Sequence, residues 1–288
     1  MYRKLRCILF CLCVLTFELY AQADSTTLLY EVSGLGLKMS SYVFGTIHVR
    51  DKRVFKLNDS VWYCFNKSDV IAGELSFDQK ELKAFAANEM MMPNGKTLSS
   101  LLSAEEYHKV KVYAKELLGW KAFIVDRIKP IFTVSLLSES SVKSDEKYPL
   151  DIYLQEKGKK KKKEIVGIET VAEQMAAIDT ISLTEQAEML LEYVNNPVKS
   201  NEDVERIIKL YQQGRLLDLY EMVFLELDDK TEAALLTKRN HVMVDRVVEM
   251  MKTKSVFMAI GSAHLPGEEG VLHLLQEKGY KVRGIGIR

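Results

Sequence analysis

The chain has 288 residues, with 40 Lys and Arg against 40 Asp and Glu, 47% hydrophobic and 28% charged. That composition excludes intrinsic disorder, collagen-like repeats and a disulfide-stapled mini-scaffold, and the length can bury one large core or two modest ones. A formal net charge of zero lacks the basic excess that marks a nucleic-acid binder.

Residues 1–23 read as an address. Arg3, Lys4 and Arg6 form a basic start, Cys7 to Phe17 is mostly apolar, and Ala21-Gln22-Ala23 is a small-x-small cleavage site. This is the arrangement of a secretory signal peptide, with an apolar stretch too short to span a bilayer comfortably. An N-terminal membrane anchor is the competing reading. A lipoprotein fits less well, because Phe10 and Leu12, rather than a small residue, precede Cys11 and Cys13. Cleavage after Ala23 leaves 37 basic against 39 acidic side chains, a net charge of −2, and Cys64 as the one remaining cysteine. Residues 24–288 therefore lack a disulfide framework and stand on their core. No second apolar stretch is long enough to span a membrane. The expectation is an exported protein, periplasmic or extracellular, with no stable membrane span after cleavage.

Strand-like runs at Leu28–Val32 and Ser40–Ile47 flank the turn Gly34-Leu35-Gly36. A helix follows over Leu57–Asn66, then the apolar run Asp69–Leu75, which predicts a buried strand. From about Gln79 to Met251 the pattern is helical. Ser103 with Glu106 forms a capping box before Ala104–Leu118, and Pro130 suits the first turn of the next helix. Glu164–Ile168 is one further strand, and helical periodicity returns at Val171–Asp179, Thr184–Val194, Glu202–Gln213 and Glu232–Met251. Ser255–Ile260 and Lys281–Ile287 close the chain as strands around a helix near Glu268–Lys278. Strands at both ends with helices between them imply a single α+β domain, its central sheet built from N- and C-terminal strands around a large helical insertion. The lysine run Lys159–Lys163 reads as a solvated turn, and Met90-Met91-Met92 as a helix end beneath the Pro93-Asn94-Gly95 turn.

Two distant segments share one design. YVFGTIH ends at His48 and FMAIGSAH at His264, each an apolar strand, a glycine, two residues and a histidine. Strands deliver their last residues to one edge of a sheet, glycine admits close approach, and a neutral imidazole is the commonest nitrogen ligand for a transition metal. Glu74 closes the VIAGEL strand just beyond Gly73, and a carboxylate at a buried strand end needs a partner. Two histidines and a carboxylate suit a metal site with open positions, or a metal-free acid/base pair.

Those segments, together with PNGKTLSSLLS, YPLDIYLQEKGKK, IVGIETVAEQMAAID, the TKRN of Thr237–Asn240 and AIGSAHLPGEEGVLHLLQEKGYKV, resemble the TraB/GumN family, also called TraB/PrgY/GumN. Its animal relatives include the Tiki proteins. The resemblance covers residues 24–288 and implies a fold similar to the erythromycin-esterase and ChaN-like proteins. It also implies a metal-dependent, peptidase-like hydrolase acting on a peptide or protein. Carried over, His48 and His264 are ligand or catalytic histidines, and Glu74 is a ligand or general base. The ion is divalent: manganese, cobalt or zinc. Glu169, past the end of its strand, aims at the same edge, and Gln174 orients a carboxylate or a water. Arg239 and Asn240, adjacent in a helical pattern, are expected to clamp a substrate carboxylate or an oxyanion, with a solvated helix face as the alternative. Asp151 is a weaker candidate, with a helix-start role as its alternative. The rival reading is a non-catalytic exported binding protein for a peptide, haem or metal, or a surface-polymer or signalling accessory.

Overall fold

A computed structural model describes residues 27–76, 88–224 and 229–286; the expected export signal at 1–23 lies outside them. β1 (Leu29–Ser33) and β2 (Ser41–Thr46) form an antiparallel hairpin. Its turn takes Gly34, Leu35 and Gly36 through φ of 93°, 44° and 72°, the left-handed region that glycine enters at least cost. α1 (Asp59–Lys67), capped by the Asn58 side chain, leads to β3 (Val70–Gly73).

The insertion then runs through α2 (Ala104–Leu118), α3 (Pro130–Ser141), α4 (Leu150–Lys160), β4 (Glu164–Gly167), α5 (Val171–Ile178), α6 (Leu183–Asn195), α7 (Pro197–Gln212) and α8 (Leu216–Phe224). A π-helical turn, Ala233–Thr237, feeds α9 (Lys238–Met251). β5 (Val256–Gly261), a 3-10 turn over Ser262–His264, α10 (Val271–Glu277) and β6 (Lys281–Gly284) complete the chain.

The six strands form one sheet in the order β4-β3-β5-β2-β1-β6. The expected α+β fold is therefore present, and the sheet does join the two ends of the chain. β2 pairs in parallel with β5, and β1 pairs antiparallel with β6. β4, β3, β5 and β2 all run in the same direction. β2 and β3 are buried throughout, which is why they read as continuous apolar runs rather than alternating ones. Phe44, Phe65, Ile71, Phe257 and Leu154 anchor the core against this sheet. The insertion has a second apolar cluster of its own, including Leu98, Val110, Val125, Leu137 and Leu190. The buried thiol of Cys64 is pushed up to about 11 by desolvation, as befits a packing residue.

Several expected boundaries move. α7 begins at Pro197 rather than Glu202, because proline at the first helical position needs no hydrogen-bond partner for its nitrogen. α10 begins at Val271, so Glu268 and Glu269 lie in the preceding turn instead of opening the helix. A helical turn ends at Glu89, just before the methionine run, and Met91 then bridges antiparallel to Ile128. The capping box of Ser103 and Glu106 and the placement of Pro130 agree with expectation.

Candidate functional site

Because β4, β3, β5 and β2 are parallel, their C-terminal ends share one edge, the position where open sheets with such strands build their sites. His48 follows β2, Glu74 follows β3, Glu169 follows β4, and His264 closes the turn after β5. The ladder continues past the formal strand ends. Ile168 N–H donates to the Gly73 carbonyl at 2.9 Å and Glu169 N–H to the Glu74 carbonyl at 2.8 Å, which sets the two carboxylates side by side.

Arg239, from the first turn of α9, holds both acids. Its Nε donates to Glu169 Oε1 at 2.8 Å, and its Nη2 donates to Glu169 Oε2 at 2.7 Å and to Glu74 Oε2 at 2.9 Å. Its Nη1 donates to the Leu235 carbonyl within the π-helical turn at 3.0 Å. Gln174 of α5 bridges the same acids, Nε2 donating to Glu74 Oε2 at 3.1 Å and to Glu169 Oε2 at 3.2 Å. The sequence expectation has Arg239 meeting an oxyanion. In the structure its donors face Glu74, Glu169 and a carbonyl, so it orients acids. Two carboxylates share one guanidinium, which leaves this cluster one negative charge in excess.

Gly261 explains one motif glycine. Its N–H donates to Glu74 Oε1 at 2.8 Å, and a Cβ there would lie 3.2 Å from the same oxygen. Burial works to raise the Glu74 pKa, but His264, Arg239 and the Gly261 N–H outweigh it and hold the carboxyl at about 2.

His264 is almost fully buried, 6% exposed, with Nε2 3.9 Å from Glu74 Oε1. Burial, with Arg239 adding to it and Glu74 opposing it, lowers its pKa to about 4, so the ring is neutral at physiological pH. Its Nδ1 lies 2.7 Å from Asn240 Oδ1. Asn240, read from the sequence as a clamp for a substrate group, here contacts the histidine.

His48 contrasts with this. Its side chain is 64% exposed and its Nδ1 lies 3.2 Å from Asp151 Oδ1 and 3.3 Å from Oδ2. Desolvation works to lower its pKa, but Asp151, with Glu139 and Glu74 beyond, raises it to about 9. Asp151, only a weak candidate in the sequence, is thus the partner of a motif histidine; its place in the first turn of α4 had a sufficient helical explanation and hid that role. Arg246 carries no local signal in the sequence. It donates to the Ile168 carbonyl and to Glu173 at 2.8 Å, bracing the β4 end that carries Glu169, and nothing in a solvated helical pattern marks it.

The structure thus brings together Glu74, Glu169, Gln174, Arg239, Asn240 and His264, with His48 and Asp151 as a second group at the same edge. Among the described residues, no three His, Cys, Asp or Glu side chains converge into a ready metal cage. The donor set nevertheless fits a cation in part. His264 Nε2 and Glu74 Oε1 face each other in a cluster with excess negative charge.

Fold and site define an α+β protein with a carboxylate–histidine centre at the C-terminal edge of parallel strands. The chain belongs to the TraB/PrgY/gumN family, whose profile matches residues 28–284. It is 26% identical to metalloprotease TIKI2 of Xenopus tropicalis, over 84% of this chain and 57% of the relative. Metalloprotease TIKI1 of the same frog is 25% identical, over 84% of this chain and 59% of the relative. Human metalloprotease TIKI1 is 23% identical over the same shares. The chain spans less than two thirds of the length of these relatives. No solved structure matches it. Among the described residues no helix is long and apolar enough to cross a membrane.

Proposed function

We propose that the protein is an exported, metal-dependent hydrolase that cleaves peptide or protein substrates in the periplasm or outside the cell. The observation that carries this reading is the pair of facing acceptors, His264 Nε2 and Glu74 Oε1, 3.9 Å apart. Glu74 Oε1 accepts from the Gly261 N–H and makes no hydrogen bond to the ring at 3.9 Å, a gap that a cation or a proton can bridge. The relatives named as metalloproteases favour the cation.

Glu74 and His264 would hold the ion, and His48 is the third proposed ligand. A divalent ion at such a site supplies Lewis acidity and lowers the pKa of water. The chain's own groups then have distinct tasks. Arg239 and Gln174 occupy Glu74 Oε2 and so fix the carboxylate with Oε1 turned to His264. Glu169 neutralises and orients Arg239. His48, whose charged form Asp151 favours, must lose its Nε2 proton while keeping Nδ1–H on Asp151 before it can act as a ligand, so capture of the ion weakens on acidification. Residues 1–23 serve export and residues 24–288 form the working domain.

The test is metal analysis of purified residues 24–288, followed by cleavage of a peptide library with manganese, cobalt or zinc. The expected result is cleavage that needs the ion and vanishes in the double variant His48→Ala with His264→Ala. Unchanged, chelator-insensitive cleavage by that variant overturns the reading.

A further inference from the structure

We infer that Asn240 is a positioning residue that locks His264 as the Nδ1–H tautomer and so turns the lone pair of Nε2 toward Glu74. The inference rests on the proposed metal site only for its consequence; the proton on Nδ1 follows from donor and acceptor accounting alone.

Asn240 Nδ2 lies 2.7 Å from the Glu269 carbonyl oxygen. A carbonyl only accepts, so the amide nitrogen must face it, and Oδ1 must face His264. Oδ1 also only accepts, so the proton of the bond at 2.7 Å belongs to His264 Nδ1. In the neutral form of the ring this is the one N–H, and Nε2 is then a bare acceptor.

The amide cannot easily turn over. Asn240 is 2% exposed and Glu269 is clasped twice by consecutive residues of α9, its carbonyl by Asn240 and its carboxylate by His241 at 2.7 Å. The loop after the second motif histidine is thereby tied to the helix that also carries Arg239. One turn of α9 therefore orients both members of the facing pair, Arg239 acting on Glu74 and Asn240 on His264. The first motif histidine shows the same arrangement with a carboxylate in place of the amide, Asp151 accepting at His48 Nδ1. A hydrogen-bonded outer partner of this kind fixes tautomer and ring orientation in metal-binding histidines.

The test is long-range proton–nitrogen NMR of the histidine rings in 15N-labelled, metal-free residues 24–288 at pH 7.5. His264 is expected neutral with its proton on Nδ1. Asn240→Asp, which keeps an acceptor at that place, should retain the Nδ1 proton. Asn240→Ala should shift the proton to Nε2, which can then donate to Glu74. In manganese and cobalt titrations, Asn240→Ala should bind 10- to 100-fold more weakly, with most of the loss recovered in Asn240→Asp. Thermal melts identify any variant that fails to fold, in which case the wild-type and Asn240→Asp spectra decide. A proton on Nε2 in the wild type, or an unchanged tautomer in folded Asn240→Ala, overturns the inference. The predicted tautomer in a protein that captures no ion upholds the positioning role and removes the metal reading.

Discussion

His48 and His264 end two motifs that are nearly interchangeable on paper, yet the folded protein treats them differently. His48 stands 64% exposed beside a carboxylate that favours its protonated form. His264 is 6% exposed, hydrogen-bonded to an amide and kept neutral. The strand and glycine deliver both rings to the same edge, but what packs around each one decides its protonation. Asp151 of α4 favours the charged form of His48, whereas burial, with Arg239 of α9 adding to it, keeps His264 neutral. Local motif and chemical role are thus separable, and the difference can be tested by changing the two sides independently.

The largest expected effect lies where the sides meet. Glu74→Ala should cost about 3 kcal/mol in urea unfolding, because Arg239 and Gln174 lose one of the two acids they were folded to hold. It should also abolish ion-dependent cleavage. A loss below about 1 kcal/mol would show that Glu169 alone satisfies the cluster.

Acidification separates the histidines by sign. The folded His264 stays neutral down to about 4, whereas an unfolded histidine takes a proton near 6.5. Between those values the unfolded chain binds more protons, so stability falls as pH drops from 6.5 to 4, by roughly 3 kcal/mol. Glu74, held at about 2 against an ordinary 4.5, extends the loss further into acid. His48 behaves oppositely. Its contribution is complete below 6.5 and fades as pH rises to about 9, and its exposure keeps it small. Denaturant midpoints of metal-free wild type from pH 4 to 9 should therefore fall steeply on the acid side and gently on the alkaline side. The acid arm should flatten in His264→Ala and persist in His48→Ala.

At neutral pH His264→Ala should cost about 2 kcal/mol, since it empties a buried position and leaves Asn240 Oδ1 without its donor. Gly261→Ala should cost about 1 kcal/mol by pressing a methyl group against Glu74 Oε1. It should also weaken ion binding, which calorimetric titration would detect. His48→Ala is expected to shift the urea midpoint by less than about 0.5 kcal/mol, as an exposed side chain should. If His48→Ala and His264→Ala destabilise equally, the contrast between the two sites is wrong.

Much of this was legible in the residues. Apolar runs ending in glycine marked β2, β3 and β5, and their parallel pairing follows from helical insertions that return the chain to the same side of the sheet. Glu74 and Glu169 were legible as strand-end acids. The helix residues were harder. Arg239, Asn240, Asp151 and Arg246 each sit in a helical stretch that has an ordinary explanation for a polar side chain. Their partners are 24 to 165 positions away, beyond any local pattern.

Residue order alone determined the strands, the motif histidines at their ends and membership of a family, because burial periodicity and glycine spacing are local properties. Tertiary packing alone decided which histidine is neutral, which carboxylates share Arg239 and which ring nitrogen faces Glu74. Those outcomes depend on desolvation and on hydrogen-bond geometry between segments far apart in the chain, and neither exists until the helices close over the sheet edge.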